Sequence, residues 1–142
     1  MSRWAVIAVP ASLVALAACD PMPIVVLHNE SGVPVELRIT YAPAEKGDAF
    51  EEAYKVRPGK AERLPAGYLL ATAVMLRAGR CSYGYQGFDS PGVIGREIGA
   101  RTDIALNASM QIRVVQARAF RPTSTGRQPA GWPLVPISRT CR

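Results

Sequence analysis

The sequence predicts a small all-β domain, an antiparallel β-sandwich of about seven strands of the immunoglobulin-like or transthyretin-like kind. Three observations predict it. Short runs of β-branched and aromatic residues alternate with a period of two, which is the signature of a half-buried strand. Twelve glycines and twelve prolines cut these runs at close spacing. The length beyond residue 18, 124 of the 142 residues, suits one domain with its own core.

The elements follow in chain order. Ile24-Val25-Val26-Leu27-His28 is a strand by its β-branched content, and Asn29-Glu30-Ser31-Gly32 is a turn. From Val33 to Tyr41 the pattern is strict: Val35, Leu37, Ile39 and Tyr41 face one way, and Glu36, Arg38 and Thr40 the other. These two runs are expected to form a hairpin. The polar stretch from Ala42 to Glu52 reads as a loop with a turn of helix. Strands at Ala53–Arg57 and Lys60–Leu64 flank the Pro58-Gly59 turn. After Pro65-Ala66-Gly67, the ten residues Tyr68–Arg77 are largely apolar, and the Gly/Pro punctuation on both sides favours a core strand over a helix. Cys81–Tyr85 returns, with Cys81, Tyr83 and Tyr85 on one face. A glycine-rich loop, Gln86–Arg101, precedes a short strand at Asp103–Leu106. Asn107-Ala108 turns the chain into a strand over Met110–Ala119. Arg121–Pro133 has no period and is a loop or crossing. Leu134–Ile137 is expected as a last edge strand, because Pro136 cannot donate to a ladder.

The first nineteen residues have a different character. Arg3 is followed by the uncharged run Trp4–Leu16 and then Ala17-Ala18-Cys19. A membrane-spanning helix needs about 20 apolar residues, and Pro10 interrupts this run. A cleaved export signal fits better than a span. The segment Leu16-Ala17-Ala18-Cys19 resembles the lipobox of bacterial lipoproteins. That resemblance implies a signal peptide over residues 1–18 and a diacylglycerol on the Cys19 thiol. It also implies a tether over 19–23 and a single domain over 24–142, held on a bilayer surface by its acyl chains. Asp20 resembles the inner-membrane retention signal, with the outer membrane as the alternative. Residues Val56–Lys60 and Arg63–Tyr68 resemble the turn-rich middle of envelope sandwich domains.

With Cys19 given to lipid, Cys81 and Cys141 remain as an even pair, and an oxidising periplasm makes a disulfide the natural reading. Charge is uneven along the chain. Cys19–Glu62 carries five Lys or Arg against eight Asp or Glu, whereas Arg63–Arg142 carries eleven against three. Arginine outnumbers lysine by 14 to 3, and its fork suits phosphate and carboxylate. At an envelope membrane this implies an anionic glycan, an anionic lipid or an acidic protein rather than nucleic acid. Arg96, Arg101, Arg113, Arg118 and Arg121, with Arg127 nearby, are the candidate anion-binding face.

Other chemistry is weakly signalled. His28 is the sole histidine and would have to be the base of any Ser–His–Asp hydrolase, but no Gly-x-Ser-x-Gly elbow accompanies it. Glu45, Asp48, Glu51 and Glu52 surround Gly47 without the spacing of a calcium loop. Gly92-Val93-Ile94-Gly95 lacks the Lys-Ser/Thr of a phosphate loop. Tyr41, Tyr54, Tyr68, Tyr83, Tyr85 and Phe88 could line a ligand groove or simply pack in the core. No metal or cofactor is expected. The expectation is a non-enzymatic envelope lipoprotein. A carbohydrate- or peptide-binding module and a small hydrolase built on His28 are the rivals.

Overall fold

The structure is a computed structural model and describes residues 23–42, 48–64, 71–88, 99–117 and 126–142. Cys19 and the residues before it lie outside this set. The described residues contain no helix and build nine strands, as many as the runs read in chain order, against the about seven expected of the sandwich. They are β1 (Ile24–Asn29), β2 (Val35–Tyr41), β3 (Phe50–Val56), β4 (Ala61–Leu64), β5 (Ala71–Ala78), β6 (Cys81–Tyr85), β7 (Arg101–Leu106), β8 (Ile112–Gln116) and β9 (Ser138–Cys141). One sheet has the order β4-β1-β7-β8 and the other β3-β2-β5-β6-β9.

The strict alternation in β2 does what period two requires. Val35, Leu37, Ile39 and Tyr41 are buried between the sheets. Leu76 and Val74 of β5 join them from the same sheet, while Leu27, Ile104, Leu106 and Ile112 come from the other. Each fully buried Leu or Ile here contributes about 2 kcal/mol through lost apolar hydration.

β1 and β2 do not form the expected hairpin; they lie in opposite sheets. The cause is the corner between them. The Asn29 amide is buried and donates to the carbonyls of Val33 (2.7 Å) and Val56 (2.9 Å), and its Oδ1 accepts from the Ser31 amide (3.0 Å) and hydroxyl (2.6 Å). This side chain fixes a sheet-switching bend, so Leu27 and Leu37 face each other across the core instead of sharing a face. In the immunoglobulin order the first two strands share a sheet, so that alternative is not followed. The sandwich is also not wholly antiparallel, because β1 and β7 pair in parallel from Ile24↔Arg101 to Asn29↔Leu106. The unbroken apolar run Ile24–Leu27 is what a central strand flanked on both sides calls for.

Four further boundaries differ. β3 begins at Phe50, whose ring stacks on Tyr41 at 4.8 Å, so Phe50–Glu52 is strand rather than loop. Residues 43–47 lie outside the described set. β7 begins at Arg101, two residues before the expected start. β8 starts at Ile112, because Asn107 organises a turn by accepting from the amides of Ser109 and Gln111 at 3.0 and 2.9 Å, and Met110 takes a left-handed φ of 58° within it. Leu134–Ile137 contributes only a single bridge, Leu134 to Ile112, and the edge strand falls later, at Ser138–Cys141. The Gln128 amide covers the rest of the β8 edge. It donates to the Val114 carbonyl (3.1 Å) and accepts from the Val114 amide (2.7 Å), as a neighbouring strand would. Cys81 and Cys141 form the expected disulfide, which ties β9 to β6 across the register pair they occupy.

Candidate functional site

The outer faces of the two sheets carry the polar chemistry. On the β4-β1-β7-β8 sheet, alternation turns His28 of β1 and Arg101 and Asp103 of β7 away from the core. The Asp103 carboxylate accepts Arg101 Nε at 2.8 Å and Arg101 Nη2 at 2.9 Å, a bidentate pair, and His28 Nε2 lies 2.9 Å from Asp103 Oδ1. The Arg101 hydrogen bond is the main reason the Asp103 pKa lies below its ordinary value; burial opposes it and His28 adds to it. Within the described residues His28 hydrogen-bonds Asp103 alone. A His–Asp pair needs a hydroxyl or thiol beside it to act as a triad, and none of the described residues supplies one. On the same sheet Arg113 Nη2 donates to Glu30 Oε2 at 2.7 Å.

Arg101 and Arg113 are therefore each held by a carboxylate. Arg101 opens a strand rather than sitting in a loop. Arg96, Arg118 and Arg121 lie outside the described residues, as do Glu45, Gly47, Tyr68 and Gly92–Gly95. Among the described residues no three His, Cys, Asp or Glu side chains gather as a metal site would require. The tyrosines go mainly to the core. Tyr41 and Tyr85 are buried, and Tyr54 packs against the core with its hydroxyl donating to Glu52. The Tyr85 hydroxyl donates to the Met110 carbonyl at 2.7 Å, and burial pushes its pKa up. Phe88 stands edge-on to Tyr85 and to Trp132, at 6.3 Å from each. Tyr83 is half-buried, with the Arg139 guanidinium 5.8 Å from its ring centre.

The β3-β2-β5-β6-β9 sheet presents a different surface. Register places Lys55, Glu36, Arg77, Ser82 and Thr140 in one row across all five strands. Alternation puts the row on the outer face, since its neighbours Val56, Leu37 and Leu76 are core. Two hollows flank it. One, of about 610 Å³, is lined by Arg38, Arg77, Arg80, Arg142, Ser82 and Thr140 among others. The second, of about 580 Å³, contains Glu36, Lys55 and Arg57, and shares Arg77 and Gly79 with the first. Gly79 has a φ of 57° and opens the two-residue turn between β5 and β6, a conformation that favours glycine and sets Arg80 at the rim.

The charges here are unequal in their pairing. Arg38 Nε donates to Glu36 at 2.6 Å and its Nη1 to Glu51 at 3.3 Å, and the Glu36 carboxyl is held below its ordinary pKa chiefly by Arg38. The ion pairs among the described residues involve His28, Arg38, Arg101 and Arg113. Arg77, Arg80 and Arg142 are in none of them, and all three are exposed. Chemically, such a surface can hold phosphate, sulfate or carboxylate through guanidinium forks, with the Ser82 and Thr140 hydroxyls as additional donors.

The sequence reading missed this group, although two signals were present. Arg77 closes an apolar run at an outward position. A Cys81–Cys141 bridge also places the residues flanking it, Arg80 and Arg142, side by side; the Arg142 amide donates to the Arg80 carbonyl at 3.0 Å. Comparison of the chain with the models of known protein families, with curated proteins and with solved structures returns no match.

Proposed function

We propose that this chain is a non-enzymatic lipoprotein of the bacterial envelope. On this reading it is anchored through Cys19 and faces the periplasm, with the inner membrane favoured by Asp20, and it binds an anionic envelope component on the outer face of the five-stranded sheet. The observation that carries the binding half is the set of exposed arginines, Arg77, Arg80 and Arg142, gathered at one hollow and in no ion pair among the described residues. Burial of Tyr41 and Tyr85 weighs against a tyrosine-lined carbohydrate or peptide groove, and His28, among the described residues, is paired with Asp103 and with no hydroxyl or thiol, which weighs against a hydrolase.

The anchoring half rests on the lipobox. Mass spectrometry of the membrane fraction should find the chain beginning at Cys19 with acyl chains attached. An unmodified chain with its first eighteen residues intact would overturn it. For the binding half, retention on an immobilised polyanion should fall as salt rises and should be lost in Arg77→Glu/Arg80→Glu. Equal retention of that variant would remove the proposed site.

A further inference from the structure

We propose that the groove takes a linear acidic polysaccharide lying across the strands, rather than a single small anion. This rests on the reading of that face as an anion site and names its ligand. The row Lys55, Glu36, Arg77, Ser82, Thr140 crosses five strands. At about 4.8 Å per strand it runs roughly 19 Å. The two hollows adjoin at Arg77 and Gly79, and together their linings include every residue of the row, so a chain laid along this trough would pass both. Cations occur along its length, from Arg57 and Lys55 at one end through Arg77 to Arg80 and Arg142 at the other. Glu36 is the one carboxylate inside the row; Arg38 pairs with it, and its register neighbours Lys55 and Arg77 add to the positive field around it.

The ligand class follows from what this face offers and what it lacks. A single-stranded nucleic acid would need aromatic platforms for its bases, and neither hollow is lined by an aromatic residue. A peptide strand would add to a sheet edge, whereas the trough crosses a sheet face. Guanidinium groups spaced along a line, with the Ser82 and Thr140 hydroxyls between them, match a chain that repeats carboxylates and hydroxyls. A bilayer headgroup fits poorly for a positional reason. The tether leads into β1 at Ile24, and the trough lies at the Asn29 end, where the Asn29 amide bonds the Val56 carbonyl at 2.9 Å. The six residues of β1 separate the two ends by about 20 Å.

The test titrates the full chain, in neutral detergent at low salt, with galacturonate monomer, dimer, tetramer and hexamer. Affinity should rise by about tenfold or more from dimer to hexamer as successive carboxylates engage neighbouring cations. Arg77→Glu/Arg80→Glu should abolish binding at every length. Lys55→Glu should weaken the hexamer while leaving the dimer unchanged, because only the longer chain reaches past Arg77. An unaltered urea midpoint for each variant shows that folding is intact. Equal affinity for monomer and hexamer overturns the extended ligand. Binding to anionic vesicles or polyphosphate through Arg77 and Arg80, with no binding of any galacturonate, overturns the polysaccharide but leaves the anion site standing. Failure of every anion to bind removes both.

Discussion

On the outer face of the four-stranded sheet Arg101 meets Asp103 and Arg113 meets Glu30; on the outer face of the five-stranded sheet Arg77, Arg80 and Arg142 are in no ion pair among the described residues, although Arg77 stands across the strands from Glu36. The two surfaces have the same geometry, pleated strands with alternate residues outward, and arginine on both. They differ in cover. On the first, Val26, Asp103 and Ala105 are buried although they point away from the core. On the second, Arg38, Met75 and Arg77 are exposed. A charge removed from water must be paired to persist, whereas a charge left in water need not be. Exposure alone does not sort the arginines, because the Arg101, Arg38 and Arg113 side chains are 59%, 45% and 40% exposed and still paired; what sets Arg77, Arg80 and Arg142 apart is that they are in no ion pair among the described residues.

The largest expected effect breaks the second surface. β9 has four residues, all exposed, and places nothing in the hydrophobic core. Its hold on β6 is a short ladder and the Cys81–Cys141 bridge, which closes a loop of 60 residues. On the chain-entropy view the bridge contributes about 4 kcal/mol. Cys81→Ser/Cys141→Ser, or reduction, should lower stability to urea by that order and weaken polyanion binding as Thr140 and Arg142 leave the trough. A loss below about 1 kcal/mol, with binding unchanged, would mean that the ladder alone secures β9.

Second in size is the covered charge on the first surface. Asp103 accepts three hydrogen bonds, two from Arg101 and one from His28, and is itself nearly buried. Asp103→Ala should cost about 2 kcal/mol by urea denaturation while leaving anion binding intact, which separates the faces. The pH dependence has a definite sign. Folding lowers the Asp103 pKa from its ordinary 3.8, so the unfolded chain binds the proton more tightly. Its contribution is complete above the ordinary carboxylate range and is lost as pH falls below 3.8 through the lowered folded value. Asp103→Asn should flatten stability in that acid window, and an unchanged acid slope would show that other carboxylates dominate it.

The strand locations were legible because β2, β5 and β6 carry their burial in local alternation or in Gly/Pro punctuation. The disulfide was legible from the count of cysteines. Partnership was not. Asn29-Glu30-Ser31-Gly32 reads as a hairpin turn in isolation, and only the burial of Asn29 against Val56, 27 residues away, makes it a corner between sheets. The candidate site suffered in the same way. Arg101 and Arg113 stood out as cations in a basic half; Asp103, two residues along β7 from Arg101, was legible as its same-face neighbour, whereas Glu30, 83 residues from Arg113, was not. Arg77 and Arg80 looked ordinary until register set them beside Arg142 and Lys55.

The smallest prediction tests whether cover, rather than pairing as such, decides what an ion pair is worth. Arg101 and Arg113 occupy the same sheet and make contacts of similar length, 2.8 and 2.7 Å. Their acids differ: the Asp103 side chain is 10% exposed and that of Glu30 is 48% exposed. Water screens the second pair, and two long side chains must be ordered to make it, so Arg113→Ala should change stability by no more than about 0.5 kcal/mol. Arg101→Ala removes the main partner of a nearly buried carboxylate and should cost more, about 1 kcal/mol or above. Equal losses in the two variants, measured in the same urea titration, would mean that an exposed acid holds its arginine as firmly as a nearly buried one.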